Sequence, residues 1–246
     1  MLSQRPFFYT RAVMRIGDLF GQARPVFSFE FFPPKSEAGE RSLLRTIDNL
    51  RPLEPSFVSV TYGAGGTTRE KTIEIVTRIK RDHGLEAMAH LTCVGHSRDE
   101  IAVILDRLAD AGLENVLALR GDPPRGDATF VRPDNGFGYA SELAAFIAGG
   151  GYPFCLAGAG YPEGHPECRA LEDDVGHLRA KVDAGVEVII TQLFYDNRDY
   201  FAFIERARRA GITVPILPGI MPITNVAQIE RIAKLSGACI PADLLD

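Results

Sequence analysis

The sequence predicts an α/β fold, a TIM (β/α)8-type barrel lacking its eighth strand-helix unit. Three observations carry this. Apolar extended runs alternate with helical patterns from Pro25 nearly to the end, as repeated βα units require. Seven such units follow one another without a shift in composition that would mark a linker, and the 246 residues approach the ~250 typical of that barrel. After the seventh helix only residues 237–246 remain, too few for another strand and helix, so either the chain is truncated or the barrel is open. An open doubly wound sheet is the alternative architecture.

Strands are expected at residues 26–32, 57–62, 87–92, 116–119, 154–158, 187–194 and 214–218. The helices between them repeat apolar residues at three and four. Ile101, Ile104, Leu105 and Leu108 form one stripe, and Leu171, Val175, Leu178 and Val182 another, with a last helix over 225–235. Gly112, Gly185 and Gly211 stand where a left-handed residue ends a helix. The turn Gly63-Ala64-Gly65-Gly66 lacks the last glycine of the dinucleotide fingerprint. Residues 1–24 form an N-terminal helical segment, with a short helix over 11–20 closing one end of the fold, and 25–246 form one catalytic domain.

A net charge of −5 argues against partners such as nucleic acid or anionic membrane, which favour clustered basic surface, and no apolar run is long enough to span a bilayer. A small-molecule partner is the expectation. Cys93, Cys155, Cys168 and Cys239 are scattered without a C-x-x-C pair, which reads as free thiols in a reducing cytoplasm. Cys93 and His96 form an isolated pair and there is no H-E-x-x-H, so no metal site is expected. Arg5, Arg11 and Arg15 give the first residues a faint transit-peptide character, but no apolar core for secretion is present.

The first strand carries the sharpest chemical hypothesis. Alternation places Phe27, Phe29 and Phe31 on one face and Val26, Ser28, Glu30 and Phe32 on the other, while Pro33-Pro34 stops the strand. Three aromatics then face a packing layer. Glu30 sits near the C-terminal strand end, where such sheets place their chemistry. Partial burial raises a carboxyl pKa, as a general acid near neutral pH needs; a solvated edge-strand glutamate is the alternative. Thr61, His90 and Gln192 lie at the same ends of other strands; each alone reads more readily as a hydrogen-bonded core residue than as a ligand contact, while together they line one end of the barrel. Arg120-Gly121-Asp122 sets a cation beside an anion, although Asp122-Pro123 also reads as a simple turn. His165 is held between Gly164 and Pro166 in a proline-flanked loop. Asp174, His177 and Lys181 share one helical face, which ordinarily means a solvated one.

Several segments together resemble methylenetetrahydrofolate reductase: Phe29-Glu30-Phe31-Phe32-Pro33-Pro34, Val60-Thr61-Tyr62-Gly63-Ala64, Ala89-His90-Leu91-Thr92-Cys93, Ala118-Leu119-Arg120-Gly121-Asp122, Tyr161-Pro162-Glu163-Gly164-His165-Pro166, Lys181-Val182-Asp183-Ala184-Gly185, Ile190-Thr191-Gln192 and Pro218-Gly219-Ile220-Met221-Pro222. The resemblance implies a barrel that binds FAD without a Rossmann domain. NAD(P)H reduces the flavin and is replaced by methylenetetrahydrofolate in a ping-pong cycle that supplies methyl groups for methionine synthesis. By the same resemblance Glu30 is the acid that protonates a folate nitrogen. Asp122 tunes the flavin and contacts folate, Gln192 serves folate and nicotinamide, and Gln228 contacts substrate. Thr61, Tyr62, Ala64, His90, Arg120, Gly121, Asp122, Tyr139, Ala140, Tyr161, His165, Asp174, His177 and Lys181 would hold FAD. Here His177 replaces an asparagine and Ala180 an arginine of a bacterial relative, which implies an altered phosphate grip.

Relatives continue into an eighth strand with a substrate-contacting arginine. The expectation is therefore a catalytic barrel without an appended regulatory domain, whose open edges bring low stability or completion by another chain. A homo-oligomer remains open. The competing functions are a lyase or aldolase on a phosphorylated small molecule and a non-catalytic flavin-binding remnant. An aldolase would show a Schiff-base lysine at a strand end, and none of the predicted strands carries one.

Overall fold

A computed structural model describes residues 14–22, 24–62, 66–123, 130–168 and 170–244, with only the backbone for 66–69. Seven strands alternate with seven helices. The strands are β1 (Ser28–Phe31), β2 (Phe57–Val60), β3 (Ala87–Thr92), β4 (Asn115–Leu119), β5 (Cys155–Gly160), β6 (Val188–Leu193) and β7 (Ile216–Gly219). Each precedes the helix of the same number: α1 (Glu37–Leu50), α2 (Gly66–His83), α3 (Arg98–Asp110), α4 (Ala140–Gly149), α5 (Leu171–Asp183), α6 (Asn197–Arg209) and α7 (Val226–Ser236). All neighbours pair in parallel in chain order, and among the described residues β1 and β7 are not joined. The architecture is therefore a curled, unclosed barrel of the expected class.

Two cores explain the curl. The outer core lies between sheet and helices and takes Val58 and Val60 from β2, Ala89 and Leu91 from β3, and the stripe Ile101, Ile104, Leu105 and Leu108 from α3. The inner core fills the concave face with the alternate residues Phe57, Met88, Leu117, Cys155, Ala157 and Val188. This is the period-two division of a sheet buried on both faces. On β1 it sends Phe29 and Phe31 to the outer core while Val26 packs on the inner one. Only two of the three aromatics expected in the packing layer reach it. Phe27 precedes β1 and is 40% exposed, touching Phe29 edge-on at 6.0 Å. The second stripe is likewise incomplete: Val175 and Leu178 are buried, but Leu171, the first residue of α5, is exposed.

The N-terminal helix expected over 11–20 is corrected to one 3₁₀ turn, Ile16–Leu19, with 11–13 outside the described residues. Long-range partners displace the helical ones. The Ile16 N–H donates to Asn115 Oδ1 at 2.8 Å, the Met14 N–H to Glu114 Oε2 at 2.6 Å and the Gly17 N–H to Cys155 Sγ at 3.3 Å. This segment closes the floor of the sheet, at the N-terminal strand ends. There Asn115 also donates to Met14 O and Glu86 Oε1, at 2.9 Å each. Lys80 spans Glu86 and Glu114 at 3.1 Å each, and Arg15 grips Glu187. All four cysteines are free, as expected. Among the described residues no helix is long and apolar enough to cross a membrane.

Candidate active site

The chemistry-bearing side chains gather at the opposite, C-terminal ends of the strands. Parallel pairing sets Glu30 beside Ser59, and the inward face of β3 adds His90. His90 Nε2 lies 3.5 Å from Glu30 Oε2. Burial pushes the imidazole down to about 3, so the pair is a carboxyl group beside a neutral ring rather than an ion pair. Burial also raises the Glu30 pKa, opposed by a hydrogen bond with Ser59. Both sequence readings of Glu30 thus hold in part. It stands on an edge strand with 52% of its side chain exposed, yet the carboxyl group is set into the concave face and is desolvated there.

A second group surrounds the β4 and β5 ends. Arg120 follows β4 and is held in place by Gly121 at φ 86, where a Cβ would come within 2.5 Å of Val94 Cγ1. Its guanidinium bonds both oxygens of Glu167 at 2.7 and 2.6 Å and lies 5.0 Å from the Phe130 ring centroid. Tyr161 meets His165 edge-on at 4.6 Å. Burial, with Asp122 and Asp174 nearby, drives the Tyr161 hydroxyl up to about 12. Burial and the nearby Arg120 lower the His165 pKa.

From α5, Lys181 reaches inward. Its Nζ donates to Ala159 O at 2.8 Å and lies 5.6 Å from the Tyr161 ring centroid. Desolvation lowers its pKa to about 8, only partly offset by Asp174, which is itself buried with a raised pKa. The polar face expected to be solvated is therefore divided: Asp174 and Lys181 turn in and His177 stays exposed.

The remaining sequence candidates are more dispersed. The Thr61 carbonyl accepts from Thr72, and the Tyr62 hydroxyl lies 3.1 Å from His96 Nε2. That pair borders a cleft of about 480 Å³ between α2 and α3. Gln192 turns its Oε1 back onto the Leu193 N–H at 2.9 Å. Ala140 opens α4. Tyr139 before it is 63% exposed, and Gln228 is exposed in the first turn of α7. Among the described residues neither Tyr139 nor Gln228 is joined to the two groups above by a hydrogen bond or ion pair. Ala64 lies outside the described residues.

Sequence reasoning missed Ser59 and Glu167, and weighed His96 only as an isolated pair with Cys93. Ser59 was accessible in principle, since alternation from Phe57 puts it on the concave face. His96 and Glu167 act through partners 34 and 47 residues away, which no local pattern reports. It placed Asp174 and His177 on one helical face and read Cys168 as a free thiol, but did not bring the three together, and their ligand atoms come within 4.8 Å of one another. Lys181 already offsets the Asp174 charge, and a tetrahedral ion would have to tighten that spacing, so we assign no metal to it.

A family model described as methylenetetrahydrofolate reductase matches residues 15–246. The chain belongs to the methylenetetrahydrofolate reductase family. It is 41% identical over 215 residues to the 5,10-methylenetetrahydrofolate reductase of Escherichia coli, covering 87% of this chain and 70% of that one. It is 40% identical over 244 residues to methylenetetrahydrofolate reductase (NADH) 1 of Zea mays, covering 95% of this chain. The chain spans 41% of the maize protein's length. A solved Clostridium thermocellum protein, described as binding two copies of 5-methyl-5,6,7,8-tetrahydrofolic acid, superposes with a TM-score of 0.64 over 89% of this chain and 73% of its own. At 15% identity that likeness speaks for the shared barrel alone.

Proposed function

We propose that the chain reduces 5,10-methylenetetrahydrofolate to 5-methyltetrahydrofolate in a ping-pong cycle, with FAD as cofactor and NAD(P)H as electron donor, supplying methyl groups for methionine synthesis. The observation that carries this reading is Glu30: a desolvated carboxyl group with a raised pKa, open to solvent on one side, at the C-terminal strand ends of a chain of this family. A group that must hold a proton near neutral pH and deliver it to an incoming substrate needs both properties.

The residues present fit FAD. Arg120 and Lys181 bring two cations to a buried rim next to Tyr161, a donor set suited to a pyrophosphate. Thr61, Tyr62, His90, Arg120, Gly121, Tyr161, His165, Asp174 and Lys181 would hold the cofactor, which when bound supplies the relay of hydride from nicotinamide to folate. Glu30 gives its proton to a folate nitrogen, and the carbon–nitrogen bond of the bridging ring breaks to leave an iminium ion. Asp122, exposed beyond β4, and Gln192 orient the substrate. Four free thiols fit a reducing, cytoplasmic setting.

The test is spectroscopic. Purified protein incubated with FAD should show a flavin spectrum, bleach with NADH and regain colour with methylenetetrahydrofolate. Failure to take up FAD defeats the reading, and bleaching without reoxidation by folate indicates a flavin-binding remnant.

One observation favours a second reading. Lys181, with its pKa near 8, is the kind of buried amine that forms Schiff bases, although it stands on a helix rather than at a strand end. Borohydride trapping of a carbonyl substrate on Lys181 would support a lyase, whereas full activity of Lys181→Met in such an assay would dismiss it.

A further inference from the structure

The contact between Glu30 and His90 has a chemistry of its own. On the concave face Glu30 stands on the edge strand β1, Ser59 on β2 and His90 on β3. The His90 side chain is 6% exposed, among the described residues its Nε2 has no hydrogen-bond partner, and Glu30 Oε2 lies 3.5 Å from it. Leaving such a nitrogen unpaired is costly, so the site is built for a contact that is one small adjustment short of completion. Catalytic hydrogen bonds are often long before substrate binds and shorten with it.

The direction of that contact follows from electrostatics. An Nε2–H aimed at Glu30 would stabilise the carboxylate and lower its pKa. An Nε2 lone pair can only accept, and so stabilises the protonated acid. Burial favours a protonated Glu30, which can donate, and a neutral His90 ring, which can accept, and the 3.5 Å separation of Nε2 and Oε2 lets the two meet. Among the described residues no other charged group is seen to perturb either side chain. The perturbation of His90 comes from burial alone and that of Glu30 from burial and Ser59, and the neighbouring inward residues Met88, Leu117 and Leu119 are apolar.

We propose that His90 is a positioning residue for Glu30, its Nε2 lone pair accepting a hydrogen bond from the carboxylic acid and keeping it protonated and aimed until the folate nitrogen takes the proton. The ring stays neutral throughout. The proton passes only from Glu30 to substrate, and His90 Nε2 loses its hydrogen bond as Glu30 becomes a carboxylate.

This rests on the reductase reading for its catalytic meaning, but its central test needs no turnover. In the wild-type protein with ¹⁵N-labelled histidine, the His90 Nε2 resonance should be that of an unprotonated nitrogen at neutral pH and should move as Glu30 titrates. A protonated Nε2, or one blind to the Glu30 titration, overturns the proposal even if the reductase reading stands. A second arm uses single-turnover kinetics. His90→Gln, whose side-chain oxygen can accept the same hydrogen bond, and His90→Leu, which cannot, are compared in their flavin-loaded fractions, each folate half-reaction being taken relative to flavin reduction by NADH in the same variant. That ratio should be at least tenfold lower for His90→Leu than for His90→Gln. Equal behaviour of the two variants overturns the proposal. Wild-type protein that never reoxidises with folate refutes the reductase reading instead, and the resonance measurement still decides the His90 contact.

Discussion

Below the sheet, Asn115 is fully buried and spends its amide on Ile16, Met14 and Glu86, while Lys80 closes the charges of Glu86 and Glu114. Above it, His90 Nε2 has no hydrogen-bond partner among the described residues, Lys181 is held near pKa 8 and burial raises the pKa of Glu30. The same strands end in both places, and His90 at the rim is nearly as deeply buried as Asn115 and Glu86 on the floor, while Glu30 keeps one side open to solvent. What differs is whether burial is compensated from within the chain. The floor is complete without a ligand and serves stability; the rim leaves its desolvated groups for something that binds. This is the division of labour expected of parallel barrels.

The comparison can be broken most directly at Glu30. Glu30→Gln should slow the folate half-reaction by about 10²–10⁴-fold, the usual contribution of a general acid, while flavin reduction by NADH survives in stopped-flow traces. Equal loss of both steps would make Glu30 a structural residue. Next in size is Asn115→Ala on the floor. It strands the Ile16 N–H and leaves Glu86 Oε1 with Lys80 as its remaining donor, and should cost about 2–4 kcal/mol in urea unfolding while leaving FAD affinity unchanged. A large drop in FAD affinity with intact stability would reverse the assignment of the two ends.

Lys181 sharpens the rim through pH. It is protonated below its folded pKa of about 8, and an anionic pyrophosphate favours that form. FAD affinity measured by fluorescence quenching should therefore fall as pH rises through 8 toward 10, and Lys181→Met should flatten that dependence. The smallest effect is expected at Glu167, whose carboxylate occupies the Arg120 guanidinium. Glu167→Gln should free Arg120 and tighten FAD binding by up to about fivefold, the scale of a partly exposed ion pair.

Much of this was legible in the sequence because it is periodic. The third strand, residues 87–92, falls where alternation puts it, and Gly112, Gly185 and Gly211 take the left-handed φ values of 72, 109 and 76 expected at helix ends. Glu30 was legible because two prolines and alternation fix both its depth and its face. The N-terminal helix was misread since helical spacing says nothing of Asn115, about a hundred residues away, taking up its backbone donors. Asp174 and Lys181 were read as solvated for a related reason. Spacing places them on one helix face, but only packing of α5 against β5 decides that this face is an inner one. Ala64 lies outside the described residues, and Tyr139 and Gln228 are candidates on resemblance alone.

The floor has one more consequence, for the order of assembly. Residues 14–17 are made before their partners Glu114, Asn115, Cys155 and Glu187, which lie 99 to 172 positions later. Contacts of such long sequence separation are slow to form, so this segment must wait, undocked, until the chain has been synthesised as far as β6. Refolding of this chain should accordingly end with the seating of residues 14–17.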